Sequence, residues 1–133
     1  MISAPTPTSH CDRQVRLCPV SRQLILPEVG TEGQSALLNS SVSVVGCGAT
    51  GSMILNLLAR AGVGALTIID RDFIELTNLQ RQVFFDERDL EQPKTLVAAD
   101  KVRRANSDVV IHDVVKDLNL FACTRSFRLI HTT

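Results

Sequence analysis

Apolar residues are unevenly distributed along this chain, and their spacing changes from one stretch to the next. Ser41 to Val45 and Ala65 to Asp70 are short, β-branched runs bounded by turn residues, so each predicts a buried parallel strand. Between them Met53, Ile54, Leu57, Leu58 and Ala61 recur at helical intervals, and Gly62 and Gly64 punctuate the end of that helix. Pro93 suits the first turn of a second helix running to about Ala105, with Leu96, Ala99 and Val102 on its inner face and Asn106 and Ser107 at its end. Asp108 to Val115 alternates in part and predicts a third strand. The connection from second to third strand is long enough for a crossover helix. The pattern therefore predicts an α/β, Rossmann-like parallel sheet with right-handed connections and helices on both faces, truncated after about three strands.

The flanks read differently. Residues 1–19 are rich in Ser, Thr and Pro without a hydrophobic period, and are expected to be a disordered tail. From Val20 the text becomes VSRQLILPEVGTEGQSALL, in which Leu24, Ile25 and Leu26 form an apolar knot closed by Pro27 and Gln34 to Asn39 suit a short helix. Residues 20–117 make the expected domain, and 118–133 a divergent tail.

Composition narrows the function classes. At 133 residues, 44% of them hydrophobic and 21% charged, the chain has material for one small core. Its 14 basic and 14 acidic residues cancel, which leaves no basic field to draw nucleic acid or an anionic membrane. The longest apolar run is broken by Asn56 and Arg60, well short of the roughly 20 residues that span a bilayer. The N-terminus has neither a basic start nor an apolar core, so a cytoplasmic protein is expected. Cys11, Cys18, Cys47 and Cys123 contain no C-x-x-C pair and are expected as free thiols. His10, His112 and His131 lack a metal-ligand or triad pattern, and no metal site is expected from the sequence.

The chemistry concentrates in VSVVGCGATGSMILNLLARAGVGALTIID, residues 42–70. Gly46, Gly48 and Gly51 have G-x-G-x-x-G spacing between a strand and a helix. Gly46 allows the tight turn, Gly48 lets backbone approach a phosphate, and Gly51 lets the helix pack closely. The helix then offers free N–H groups and the positive end of its dipole to an anion. Asp70, at the end of the second strand, can accept hydrogen bonds from ribose hydroxyls. Without a ligand, the same spacing would serve as a tight strand-to-helix turn.

Downstream, Asp72 follows Asp70 by two residues, so in an extended segment both carboxylates point to one side. Asn78, Arg81 and Gln82 cluster with Lys94 a little further on. Guanidinium, ammonium and amide groups beside a phosphate-binding turn suit a triphosphate, although composition alone also allows an ordinary charged loop. Arg22 is the residue to watch in the N-terminal arm; its plain reading is a solvated arginine.

SRQLILPEVGTEGQ, VVGCGATGS, LARAGVGALTIIDRD, TNLQRQVFF and QPKTLVAADKVRRANSDV, in this order and spacing, resemble the ThiF/MoeB and ubiquitin-activating-enzyme adenylyltransferases over residues 21–117. The resemblance implies an enzyme that uses ATP and Mg2+ to adenylate the C-terminal glycine of a ubiquitin-like or sulfur-carrier protein. On it, Gly46, Gly48 and Gly51 shape the nucleotide loop, Asp70 holds the ribose, and Asn78, Arg81 and Lys94 match phosphate-binding positions. Asp72 matches an acidic position near the nucleotide. Arg22 matches an arginine that reaches into the partner's active site in bacterial homodimers, so Arg22, Arg81 and Lys94 are the implied catalytic set.

The family's D-x-T-D-N segment, whose acid helps hold Mg2+, has no match here, and its zinc C-x-x-C pairs and carrier groove would lie beyond this sequence. The expectation is a truncated or alternatively ended form that binds ATP, with weak adenylation at most. Cys123 lies in unmatched text and is not expected to be a nucleophile. Two rivals remain at this level. A nicotinamide-dependent oxidoreductase fits the glycine loop and Asp70 equally well, but has no use for cations at a γ-phosphate. A non-catalytic partner of an active homologue fits the missing C-terminal half.

Overall fold

The computed structural model describes residues 20–117. In chain order these form α1 (Ser21–Leu24), α2 (Gly30–Leu38), β1 (Ser41–Val45), α3 (Ala49–Ala61), β2 (Ala65–Asp70), 3-10 turns at Leu76–Asn78 and Glu87–Asp89, α4 (Lys94–Ala105) and β3 (Val110–Val115). The expectations for residues 1–19 and 118–133, with Cys11, Cys18, Cys123, His10 and His131, lie outside the described residues.

The three strands pair in parallel in the order β1-β2-β3. Val42 stands opposite Leu66, and Leu66 opposite Ile111, so alternate residues of all three strands share a face. That face carries Val44, Leu66, Ile68 and Ile111 into one core with Leu55 and Ala59 of α3 and Ala98 and Val102 of α4. Asn106, at the end of α4, donates through Nδ2 to the Ala59 carbonyl at 2.8 Å and ties the helices together. Two successive right-handed crossovers in the same direction put both helices on the same side. On the other side Val45, Val110 and His112 are exposed. The two crossover helices, α3 and α4, therefore cover the same face.

Local differences from the sequence reading have packing causes. The boundaries of β1 and β2 are those expected, whereas β3 starts at Val110 rather than Asp108 and α2 begins four residues earlier than expected, at Gly30. The buried stripe of α3 is Ser52, Leu55 and Ala59, which leaves Met53, Ile54 and Leu57 exposed. In α4 the buried residues include Val97, Ala98, Ala99 and Val102, and Leu96 points outward, contrary to expectation. Ile25 and Leu26 are exposed too, so the apolar knot before Pro27 is open. The N-terminal arm is held instead by Gln34, whose Nε2 donates to the Ala61 carbonyl at 3.0 Å. Among the described residues no helix is long and apolar enough to cross a membrane.

Candidate functional site

β1, β2 and β3 all run toward the same end of the sheet, and a cleft of about 810 Å³ opens there. The crevice beyond the carboxyl ends of parallel strands is where open α/β sheets bind ligands. Gly46 leaves β1 with φ of +88°, the left-handed region, and its N–H donates to the Ile69 carbonyl at 2.8 Å. The chain can then turn sharply into α3. A Cβ on Gly51 would stand 1.8 Å from the Gly46 carbonyl oxygen, so nothing larger than glycine fits where α3 crosses the loop. A Cβ on Gly48 would meet nothing within 4 Å. Backbone at Gly48 thus faces the open cleft.

Asp70 fixes this loop from the neighbouring strand. Its Oδ2 accepts the Cys47 N–H at 2.5 Å and its Oδ1 accepts the Asp72 N–H at 2.9 Å. The carboxylate that the sequence offered to a ribose is thus also a clasp between the glycine loop and the start of the next segment. Cys47 itself is a free thiol, fully buried. Burial, with Asp70 nearby, pushes its pKa from 9.0 to about 12.

Residues 71–93 leave the sheet and come back to it. The Ile74 N–H bonds to the Gln92 carbonyl at 3.0 Å, the Glu91 N–H to the Ile74 carbonyl at 2.9 Å, and Phe73 bridges Pro93 antiparallel. The excursion starts with a 3-10 turn in which Asn78 Oδ1 accepts the Glu75 N–H at 3.3 Å. That turn aims Asn78, Arg81 and Gln82 into the cleft. Arg81 is exposed and donates to the Thr77 carbonyl at 3.2 Å. Gln82 is only 4% exposed, and its Oε1 has no hydrogen-bond partner among the described residues. Further along, Lys101 of α4 clamps the segment: its ammonium donates to the Phe84 carbonyl at 2.8 Å and pairs with Asp89 and Asp86.

Lys94 begins α4 and is 5% exposed, yet its ammonium lines the cleft. Its ion-pair partner is Asp72, at 3.1 Å, a side chain that is itself 55% exposed. A cation in the first helical turn opposes the helix dipole, and a buried ammonium is costly unless anions face it. This placement suits a ligand that carries negative charge.

Gly46, Gly48, Asp70, Asp72, Asn78, Arg81 and Lys94 all line the one cleft, with Gly51 directly beneath the loop. Arg22 does not: it is exposed on α1 and is absent from the cleft wall. Sequence reasoning left Arg71, Phe73, Glu75, Lys116 and Asp117 unassigned, although they also line it. Arg71 pairs with Asp117 at 2.8 Å across the ends of β2 and β3. The rule that ligands sit at the carboxyl ends of strands would have pointed to Lys116 and Asp117. Among the described residues no cluster of three or more His, Cys, Asp or Glu side chains forms a metal cage.

The ThiF family model matches residues 20–131. "Adenylyltransferase and sulfurtransferase MOCS3" of Danio rerio is 52% identical over 89 residues, which cover 67% of this chain and 19% of that protein. "Sulfur carrier protein ThiS adenylyltransferase" of Bacillus subtilis is 38% identical over 115 residues, or 83% of this chain and 34% of that one. The chain thus spans between a fifth and about a third of the length of these curated relatives. Among solved structures, the E. coli tRNA N6-threonylcarbamoyladenosine dehydratase TcdA in complex with AMP superposes with a TM-score of 0.79 at 26% identity, over 94% of this chain and 48% of that one. E. coli MccB with ATP gives 0.66 at 34% identity, over 70% of this chain and 28% of its own.

Proposed function

The chain belongs to the ThiF family, and from that premise we propose that its cleft binds ATP as the nucleotide half of an adenylyltransferase acting on the C-terminal glycine of a ubiquitin-like or sulfur-carrier protein. The observation that carries this reading is the buried Lys94 ammonium at the start of α4, facing the cleft behind a glycine loop that leads into a second helix. In adenylation the glycine carboxylate oxygen attacks the α-phosphorus, the bond to the bridging oxygen breaks, and pyrophosphate leaves with that electron pair. The work left to the protein is alignment and charge neutralisation.

Each residue then has a task. The N–H groups of the loop and of the first turn of α3 receive phosphate oxygens. Lys94 and Arg81 offset the charge that gathers on the leaving pyrophosphate, and Asn78 and Gln82 orient it. Asp70 still has lone pairs for the ribose hydroxyls after accepting its two backbone donors. Mg2+ would arrive with the nucleotide, since phosphate oxygens and water supply most of its ligands. Arg22, exposed and away from the cleft, fits service in a partner's site within a cytoplasmic homodimer.

Titration calorimetry of the 133-residue chain with MgATP and, separately, with NAD tests the reading. ATP binding without NAD binding is expected, weakened by about 1 to 3 kcal/mol in Arg81→Ala and in Lys94→Met. Binding of NAD in preference to ATP would overturn it in favour of a dinucleotide site. Loss of neither contact on mutation would remove the phosphate assignment.

A further inference from the structure

The cleft is electrically balanced. Arg71, Arg81, Lys94 and Lys116 face it, and so do Asp70, Asp72, Glu75 and Asp117. The side-chain charges therefore cancel, and the question is which carboxylate gives way when an anion enters. Three of them have other work. Asp70 holds the Cys47 and Asp72 N–H groups, Glu75 caps the 3-10 turn with Asn78, and Asp117 pairs with Arg71. Asp72 differs, because its carboxylate pairs at 3.1 Å with the Lys94 ammonium and at a looser 3.8 Å with Arg71.

The two members of the Asp72–Lys94 pair are unequal. The Lys94 side chain is 6% exposed, held within the fold, while that of Asp72 is 55% exposed. Water can take over the solvation of Asp72 once it swings out, whereas Lys94 has no such exit. Resting on the nucleotide reading above, we infer that Asp72 is an internal stand-in for phosphate: it occupies the Lys94 subsite when the cleft is empty and is displaced when a terminal phosphate enters.

This gives Asp72 a role distinct from that of the phosphate-binding residues: it sets how strongly an anion must compete for Lys94. A ligand with two or more linked phosphates can replace the carboxylate, while a singly charged anion has little advantage over it. It also separates Asp72 from Asp70, which the same sequence stretch presents as its equal.

A double-mutant cycle tests the inference, with inorganic pyrophosphate in EDTA as the probe and titration calorimetry of the full chain as the readout. Asp72→Asn keeps the backbone links to Asp70 and Lys94, and is expected to bind pyrophosphate about three- to tenfold more tightly than the unmodified chain. In a Lys94→Met background the change at position 72 is expected to have no effect, because the competition has been removed. Equal tightening in both backgrounds would overturn the inference, showing only the general loss of a negative charge. Weaker binding in Asp72→Asn, or no binding in either form, would overturn it too. Pyrophosphate carries neither base nor ribose, so the cycle is read independently of whether ATP or NAD wins in the nucleotide titration.

Discussion

Cys47 sits inside the glycine loop, its thiol sealed from water and its N–H held by Asp70. Because burial raises the thiol pKa from 9.0 to about 12, the folded chain keeps a proton that the unfolded chain releases between those values. The unfolded state then binds fewer protons, and stability falls as pH rises. The contribution is complete below pH 9 and is lost at about 1.4 kcal/mol per pH unit above it. Urea unfolding at pH 8.5, 9.5 and 10.5 should show that loss in the unmodified chain and a flatter profile in Cys47→Ala. Matching slopes would place the alkaline sensitivity elsewhere. The loop itself was legible in the sequence, since glycine at 46 and 51 answers to backbone conformation and close approach. The clasp was not: that Asp70 binds two backbone N–H groups depends on how β1 and β2 stand side by side, which spacing along one strand does not encode.

Among the elements, the excursion from Arg71 to Pro93 carries the most function with the least regular structure. It has no hydrophobic period, so sequence reasoning could see its polar groups but not its path. What fixes the path is tertiary: the paired backbone links of Ile74 with Glu91 and Gln92, and the Lys101 clamp on Phe84, Asp86 and Asp89. Lys101 reads in sequence as one of several cations near a helix end, and only packing shows it reaching sideways. Leu96 and Leu57 miss their expected faces for a similar reason, since helical spacing permits several stripes and the sheet chooses one. The excursion closes at Glu91, whose φ of +65° is left-handed for a residue with a side chain. Removing that strain with Glu91→Gly should stabilise the fold by about 1 kcal/mol and raise the melting temperature by a few degrees. A lower melting temperature would mean that the Glu91 side chain contributes more than its backbone costs.

For the whole molecule, the parallel sheet was the most readable feature. Parallel strands with long crossovers followed from where the apolar runs and turn residues fall, and the family likeness followed from five blocks in order. Which face the helices cover required the observed order β1-β2-β3, because direction of crossover and not composition decides it. Large apolar side chains are exposed in separate places, among them Met53, Ile54 and Leu57 on α3 and Val45 and Val110 on the other side of the sheet.

The lysine that opens α4 has a further consequence for how this protein trades robustness against purpose. Lys94 is a charge placed where the fold would rather have none, at the positive end of a helix and out of water. The empty protein should therefore be less durable than its sequence permits. Lys94→Met should melt higher than the unmodified chain, by the equivalent of about 1 kcal/mol, while losing the protection against heat that pyrophosphate or ATP confers. A variant that melts lower and still gains protection from either ligand would show that Lys94 serves the architecture first. On the expected outcome, ligand binding restores a stability that the protein gives up in advance to have a site at all.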